Sequence, residues 1–449
     1  MSIALVILAA GKGTRMASDL PKVLHKVGGA PLLHHAMLSA SALEPERAIV
    51  VTGYGAEAVK ASAKDFDPDV ITVFQEEQLG TGHAVAQAKA ALAGFDGDVI
   101  VLYGDTPFIT SDTLNTMIDA RASFDVVVLG FEAADPGKYG RLIMDGGALN
   151  RIVEYKDAND EERGITLCNS GVICANARTL FELVDSLENT NAAGEYYVTD
   201  VPALANARGL KSTAVTCDEA ETLGINSRAE LAAAEITFQT RMRHALIEDG
   251  VQMQAPDTVF FSYDTVIGRD AEIEPHVVFA PGVTVESGAR IRAFSHLEGA
   301  HVSRGATVGP FARLRPGAEL AEDVHIGNFV EIKNATIDEG AKVNHLTYVG
   351  DAEVGARTNI GAGTITCNYD GVMKHKTTIG RDTFIGSNTM LVAPVTVGDE
   401  AMTATATTVT KDVPDGAMAI ARTEQHNKKG FARKLFAMLR AKKAKQVKG

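Results

Sequence analysis

Residues 323–360 read DVHIGNFVEIKNATIDEGAKVNHLTYVGDAEVGARTNI, and their spacing decides how the second half of the chain folds. Aliphatic residues return at Ile326, Ile332, Ile337, Val343, Val349, Val354 and Ile360, in steps of six or five. A helix repeats every 3.6 residues and a strand every two, so neither produces this beat. A short β segment followed by a corner, stacked coil on coil, does produce it. No coil can bury its aliphatic alone, so the repeat builds one long core from neighbours.

The beat extends upstream through Ile267, Ile273, Phe279, Val285, Ile291, Leu297, Val302, Val308, Leu314 and Leu320. Downstream it resumes at Ile379, Ile385, Leu391, Val397, Thr403 and Val409. Steps of five fall at Leu297→Val302, Ile332→Ile337 and Val349→Val354, whereas Ile360→Ile379 spans nineteen. The stretch TCNYDGVMKHKTT, residues 366–378, is therefore expected to leave the coil as an excursion. Excursions on a solenoid commonly build its binding face. Polar residues that an aliphatic core cannot use gather around this one: Arg315, Lys333, His345, Tyr348, Asn359, Asn368, Tyr369 and Lys374. Arg315 and Lys333 could hold a phosphate by fork and point charge. His345 lies two residues past the inward-facing Val343, which leaves it available as a general base.

The first half of the chain has another texture. Residues 3–9, IALVILA, form an apolar run of strand length, followed at once by GKGTRMASDLPK. Further strand-like runs are Ala48–Thr52, Val70–Phe74, Val99–Tyr103 and Asp125–Phe131, with helix-period segments around 30–43, 55–64, 82–93 and 111–122. This alternation predicts an α/β domain with a largely parallel sheet buried on both faces. Ligands of such sheets sit beyond the carboxyl ends of the strands. Three motifs fall there: Gly11–Lys22, Gln75–Gly82 and Tyr103–Asp105. In the first, Gly11 and Gly13 offer backbone N–H groups to an anion, with Arg15 and Lys22 adding positive charge. It is not a P-loop, because no Gly-Lys-Ser/Thr follows, and Met16 stands where a GxGxxG motif needs its third glycine. In the second, Gln75 offers the paired donor and acceptor that a base edge requires. In the third, Asp105 is a lone strand-end carboxylate, and magnesium commonly takes one or two of these. Asn226 adds a neutral oxygen just before Ser227–Ile247, which reads as one long connecting helix with Ser227 and Glu230 as a capping box.

Of 449 residues, 45% are hydrophobic and only 6% aromatic, which suits a core of Val, Ile, Leu and Ala. No 18-residue apolar run is present to span a membrane. The start of the chain lacks a basic n-region, and four scattered Cys suit a reducing compartment, so a cytoplasmic protein is expected. The net charge of −14 conceals a contrast: residues 428–449 carry nine Lys or Arg and no acid, leaving −23 on the remainder. An acidic body argues against nucleic acid as a partner. Phe431, Leu435 and Leu439 make the basic tail a plausible amphipathic helix.

LAAGKGTRMASDLPK, with QLGTGHA and LYGD, is similar to the sugar-1-phosphate nucleotidyltransferase family. The second half resembles the left-handed β-helix hexapeptide acyltransferases. Together with RLRPGAEL, GNFVEIKNA, HLTYVGDAEVG and NIGAGTITCNYDG, the chain closely resembles the bifunctional bacterial N-acetylglucosamine-1-phosphate uridyltransferase/glucosamine-1-phosphate acetyltransferase family. The resemblance runs from about residue 3 to Arg422. It implies a Rossmann-like nucleotidyltransferase domain over residues 1–226, a linker helix over 227–250 and a left-handed parallel β-helix over 251–449. It implies acetyl transfer from acetyl-CoA to glucosamine 1-phosphate, then UMP transfer from UTP to N-acetylglucosamine 1-phosphate, in a homotrimer.

The resemblance also assigns roles. Leu8, Ala9, Ala10, Gly11, Lys22, Gln75, Gly80, Thr81 and Tyr103 would meet the uridine nucleotide, and Gly140, Glu154 and Asn169 the sugar. Asp105 and Asn226 would hold Mg²⁺, with Lys22 and Arg15 serving catalysis. Arg315, Lys333, Tyr348 and Asn359 would bind glucosamine 1-phosphate, with His345 as the base of acetyl transfer. Ala362, Asn368, Tyr369, Ser387, Thr405 and Arg422 would line the acetyl-CoA groove. Two departures stand out: Thr403-Ala404-Thr405-Ala406 replaces the family's usual Ile-Ala-Ala-Gly, and Ser170 stands where Thr is common. The alternative reading is a sugar-1-phosphate nucleotidyltransferase whose β-helix serves only as an oligomerisation scaffold. A scaffold has no need of the Arg315, Lys333, His345 and Tyr348 set.

Overall fold

The run Ile3–Ala9 is apolar throughout because both faces of its strand are covered. Residues 2–191 and 193–446 are described here from a computed structural model. Ile3–Ala9 pairs in parallel with Arg47–Thr52 on one side and Asp98–Tyr103 on the other. Across the sheet the order is Ser212–Cys217, Val126–Glu132, Leu167–Asn176, Asp98–Tyr103, Ile3–Ala9, Arg47–Thr52 and Ile71–Phe74. Only Leu167–Asn176 on this path runs against its neighbours. Strand alternation divides the core in two. Val6, Leu8, Val99 and Val101 pack on one face towards Val85 and Leu180, while Leu5, Ile7, Ile100 and Leu102 pack on the other towards Leu33 and Met117.

The chain leaves Ile3–Ala9 towards Arg47–Thr52, then returns to place Asp98–Tyr103 on its opposite side. This reversal opens a crevice at the carboxyl ends of the two central strands, which positions the first site. The expected strands are present with ends shifted by a residue. The helix expected over 82–93 is shorter, covering Thr81–Gln87. Beyond it the Ala-rich run tightens into turns, with Ala88 N–H donating to the Val85 carbonyl and Lys89 N–H to that of Ala86. The long helix is Arg228–Glu248. Its capping box forms as the sequence predicts: Glu230 N–H donates to Ser227 Oγ at 3.2 Å, and Ser227 N–H to Glu230 Oε2 at 3.1 Å.

The chain divides into two compact units. One takes the chain through His244 together with Phe261–Tyr263; the other takes Ala245–Phe260 and everything from Asp264 onward. The second unit is a parallel β-helix. Ile273, Ile291, Val308, Ile326, Val343 and Ile360 stack in register, each 17 or 18 residues above the last. Three hexads therefore make one coil, and a step of five shortens a coil by one residue. Every aliphatic of the predicted beat is buried. The corners recruit left-handed residues, and one corner column holds His276, Phe294, Phe311, Phe329, Leu346, Asn388 and Ala406 with φ between 51° and 61°. Ala406 thus takes a left-handed conformation that glycine adopts without strain. Thr403 is buried on the aliphatic beat, and its hydroxyl accepts the Gly386 N–H at 2.9 Å and meets Thr389 Oγ1 at 3.1 Å.

The excursion is smaller than the spacing implied. Thr366 stays inside the coil as the next core position after Ile360, in the strand Ile365–Cys367 that pairs with Tyr348 and with Met390–Val392. Its hydroxyl accepts the buried Gly350 N–H at 2.8 Å, so a polar residue replaces an aliphatic without an unsatisfied group. What leaves the coil is the hairpin bridged by Tyr369 and Lys374. Thr366→Val should lower the stability of this unit by about 1–3 kcal/mol, because it orphans that N–H. Calorimetry of the variant beside the parent tests this, and an unchanged unfolding temperature would refute it. The basic tail forms the helix Phe431–Gln446, with Phe431, Phe436, Met438 and Leu439 exposed.

Candidate active sites

At the crevice, a cavity of about 320 Å³ is walled by Leu8, Ala9, Ala10, Gly11, Lys22, Gln75, Gly80, Thr81, Tyr103 and Asp105. Every residue of the three strand-end motifs assigned to a nucleotide meets in this one space. A larger hollow of about 860 Å³, between residues 86–96 and 177–185, contains none of them. Gly11 has open space where a side chain would stand, so its backbone can be approached closely. Arg15 lies on the same loop but is exposed and absent from the cavity wall.

The floor of the cavity is electrostatic. Lys22 Nζ bonds the Asp105 carboxylate and donates to Asn226 Oδ1 at 2.9 Å. Local structure aims both oxygens. Ile225 N–H donates to the Asp105 carbonyl at 3.0 Å, which ties the Asn226 segment to the strand end. Asn226 N–H donates to Glu230 Oε2 at 2.6 Å, and its Nδ2 donates to the Gly224 carbonyl at 3.1 Å, leaving Oδ1 to face Lys22. A carboxylate and an amide oxygen already converge on one cation, the donor set a hard divalent ion takes.

The remaining residues form walls. Gln75 is buried, and its Nε2 donates to the Gly80 carbonyl at 3.2 Å; Gln78 Nε2 donates to the Ala10 carbonyl at 2.7 Å. Gly80 takes φ 107°, and a Cβ there would meet the Tyr196 carbonyl at 2.6 Å. Burial and the nearby Asp105 carboxylate raise the Tyr103 hydroxyl well above the usual phenol range. Thr81 Oγ1 accepts the Val198 N–H at 3.1 Å, which links this cavity to the segment that follows Glu195.

Gly140, Glu154 and Asn169 also come together. Asn169 N–H donates to the Gly140 carbonyl at 2.9 Å, and a Cβ on residue 140 would stand 3.5 Å from Glu154 Oε1. Burial raises the Glu154 carboxyl above its ordinary range, against the hydroxyl that Thr199 donates at 3.2 Å. Two residues that shape these surroundings escaped the sequence reading. Arg141 is fully buried, and its Nη2 donates to the carbonyls of Gly137 and Arg163, which shapes the GKYGRL loop. Gly171 takes φ 94°, and a Cβ there would strike the Tyr103 ring at 2.6 Å.

On the β-helix, the coil period places the second set. Asn328 and His345 are paired in register, and the same corner carries Ala362, Ser387 and Thr405 on successive coils. The Ala362 carbonyl accepts Asn388 N–H at 2.7 Å, the Ser387 carbonyl accepts Ala406 N–H at 2.8 Å, and the Thr405 carbonyl accepts Arg422 Nη1 at 2.9 Å. His345 and three of the residues assigned to acetyl-CoA thus make one vertical column, which the Arg422 guanidinium reaches at its end. The adjacent face carries the cations. Arg315 Nη1 donates to Glu331 Oε1 at 2.8 Å, which raises its guanidinium pKa further. Lys333 Nζ donates to Asp351 Oδ1 at 3.1 Å.

Asp351 is the hub that spacing did not disclose. It accepts Asn334 Nδ2 at 2.7 Å and Asn368 Nδ2 at 2.5 Å, and Asn368 also reaches Tyr348 Oη at 3.3 Å. Burial alone would raise the Asp351 carboxyl, but the bonds from Asn334, Lys333 and Asn368 outweigh it and hold it below the usual range. Its recoverable signal was position: Asp351 lies one coil beyond Asn334, and both take positive φ. Tyr369 stays exposed on the hairpin, with its hydroxyl donating to the Gly371 carbonyl at 2.6 Å. Asn359 sits on the strand paired with Lys342 and Phe384, in the sheet that carries His345 rather than the one that carries Lys333 and Tyr348. Of the residues assigned to this second site, Tyr348 lines a hollow of about 400 Å³, which it shares with Phe311, Phe329 and Leu346.

Residues 5–207 match the MobA-like NTP transferase domain, and residues 264–299 match the bacterial transferase hexapeptide (six repeats). A protein of Ruegeria sp. (strain TM1040) named Bifunctional protein GlmU is 68% identical over 449 residues, covering 100% of both chains. The protein of the same name from Jannaschia sp. (strain CCS1) is 64% identical over 439 residues, covering 98% of this chain and 97% of its own. That of Ruegeria pomeroyi is 67% identical over 448 residues, covering 100% of both.

Proposed function

Because the chain belongs to the bifunctional GlmU family, we propose that it makes UDP-N-acetylglucosamine by two transfers at two separate sites. It is a transferase acting on nucleotide and acetyl-CoA substrates. The β-helix acetylates glucosamine 1-phosphate, and the sheet domain joins UMP from UTP to the product. The observation that carries this reading is the presence, on one chain, of a cation-gathered crevice and a His345 column. We assign uridylyl transfer to residues 1–226, the connection to 227–250 and acetyl transfer to 251–449. The membership carries the left-handed sense of the coil.

In acetyl transfer, the sugar amine attacks the thioester carbonyl of acetyl-CoA. The C–N bond forms, the C–S bond breaks, the amine proton passes to His345, and CoA leaves as the thiolate. An imidazole, with an ordinary pKa of about 6.5, is suited to that proton. Arg315 and Lys333 hold the sugar phosphate, Tyr348 and Asn359 position the sugar, and Asn368 and Tyr369 join the corner column against acetyl-CoA. Lys374 sits close enough to Lys333 that the like charge depresses its ammonium pKa, a pairing that a bound phosphate relieves.

In uridylyl transfer, a phosphate oxygen of N-acetylglucosamine 1-phosphate attacks the α-phosphorus of UTP, and pyrophosphate leaves. Such a step needs positioning and charge neutralisation rather than covalent help. The amides at Gly11 and Gly13, with Lys22 and Arg15, neutralise the phosphates. Gln75, Gly80 and Thr81 meet the uracil end, while Gly140, Glu154 and Asn169 hold the sugar. Asp105 and Asn226 would hold Mg²⁺, whose charge offsets that of the phosphates. Gly171→Ala should displace the Tyr103 ring and raise the KM for UTP by about tenfold, because a positive-φ position also strains. A parent-like KM would remove Tyr103 from the binding wall.

We place the enzyme in the cytoplasm as a homotrimer. In support of self-association, His276, Phe294, Phe311 and Phe329 stack face on face at 4.9, 4.9 and 5.3 Å while remaining solvent-exposed. Such a ladder marks an interaction surface, and Phe311 and Phe329 share a hollow with Tyr348. Among the described residues no helix is long and apolar enough to cross a membrane, and the acidic body disfavours nucleic acid. Thiol release from acetyl-CoA on adding glucosamine 1-phosphate tests the acetyl half; active uridylyltransferase that frees no CoA would leave the β-helix a scaffold.

A further inference from the structure

His345 Nδ1 lies 2.6 Å from Asn328 Oδ1, on the coil directly before it. The contact is built by the coil period, because Asn328 is the in-register neighbour of His345 in a parallel pair. In-register side chains at one corner stand about 4.8 Å apart and point the same way. An amide oxygen can only accept, so the ring nitrogen that meets it carries the proton. A neutral imidazole has one N–H, which leaves the lone pair on Nε2. Among the described residues Nε2 has no protein partner, and the side chain is exposed. The opposite amide orientation would place NH₂ against Nδ1 and turn Nε2 into a donor, unable to take a proton.

We propose that Asn328 is a positioning residue that fixes His345 in the Nδ1–H tautomer and aims Nε2 at the substrate amine. This rests on His345 being the base of acetyl transfer. The backbone of His345 is independently held, its carbonyl accepting Gly363 N–H at 3.1 Å and Thr347 Oγ1 at 2.7 Å, so Asn328 has the ring rather than the fold to control. His325, on the strand that carries Asn328, feels the charge of His345. Burial, with Arg292, Lys342 and His345, holds its imidazole below the usual range. A neutral amide therefore orients the base without adding a counter-charge.

Three variants of the full-length protein separate the possibilities. Asn328→Ala should lower kcat for acetyl transfer about tenfold to a hundredfold with little change in KM, the size of effect expected for losing an orienting partner. Asn328→Asp keeps the shape but presents a carboxylate, which favours the imidazolium. It should restore much of the lost kcat at high pH and move the acidic limb of the kcat/KM profile up by about one pH unit or more. His345→Ala is the control, and uridylyl transfer should stay at the parent rate in all three. If His345→Ala retains acetyl transfer, the base assignment fails and this proposal with it. If His345→Ala is inactive while Asn328→Ala keeps the parent kcat and Asn328→Asp the parent pH profile, the base stands and the proposal is overturned.

Discussion

His345→Ala is expected to reduce acetyl transfer to glucosamine 1-phosphate by about 10²- to 10⁴-fold, the usual contribution of a positioned general base. The amine must shed a proton as it attacks the thioester, and no other imidazole stands on the corner column of Ala362, Ser387 and Thr405. His345 is exposed and contributes little packing, so the substitution should leave folding intact. Uridylyl transfer should therefore continue near the parent rate. Measuring CoA release and pyrophosphate release on one preparation separates the outcomes. Equal loss of both would point to misfolding, and full acetyl transfer would remove His345 from the mechanism.

Asp105→Ala should produce the mirror image, with uridylyl transfer falling about 10²- to 10³-fold or more, as when one preorganised electrostatic group is removed. The carboxylate is partly buried at the strand end, shares Lys22 with Asn226, and is the only full negative charge of that trio. Without it Lys22 keeps only an amide partner, and the pair of oxygens assigned to the divalent ion is reduced to one. Acetyl transfer should be untouched. Pyrophosphate release that survives Asp105→Ala at saturating Mg²⁺ would contradict the assignment.

The sequence exposed what is periodic or sits at strand ends, and concealed what depends on the stacking of coils. The beat of Ile326, Ile332 and Ile337 was visible because each coil needs an aliphatic at the same place. Thr366 hid inside that beat because it looks polar in the sequence, and only the fold supplies Gly350 N–H to its hydroxyl. Asp351 was equally hidden. Its partners Asn334, Lys333 and Asn368 are remote in sequence, and 17- or 18-residue coils make them neighbours. In the first domain, Gly11, Gln75 and Asp105 were legible because a parallel sheet collects such motifs at its carboxyl edge. The support of Tyr103 by Gly171 was not legible, because it arises from the antiparallel strand Leu167–Asn176, which no spacing announced.

One chain performing both transfers on one sugar can be tested in a single reaction. Purified protein should be given glucosamine 1-phosphate, acetyl-CoA, UTP and Mg²⁺, and the sugar nucleotide identified by mass spectrometry. The expected product is UDP-N-acetylglucosamine, with CoA and pyrophosphate released in equal amounts once the acetylated intermediate reaches steady state. Free N-acetylglucosamine 1-phosphate without a nucleotide product, or UDP-glucosamine without release of CoA, would contradict it.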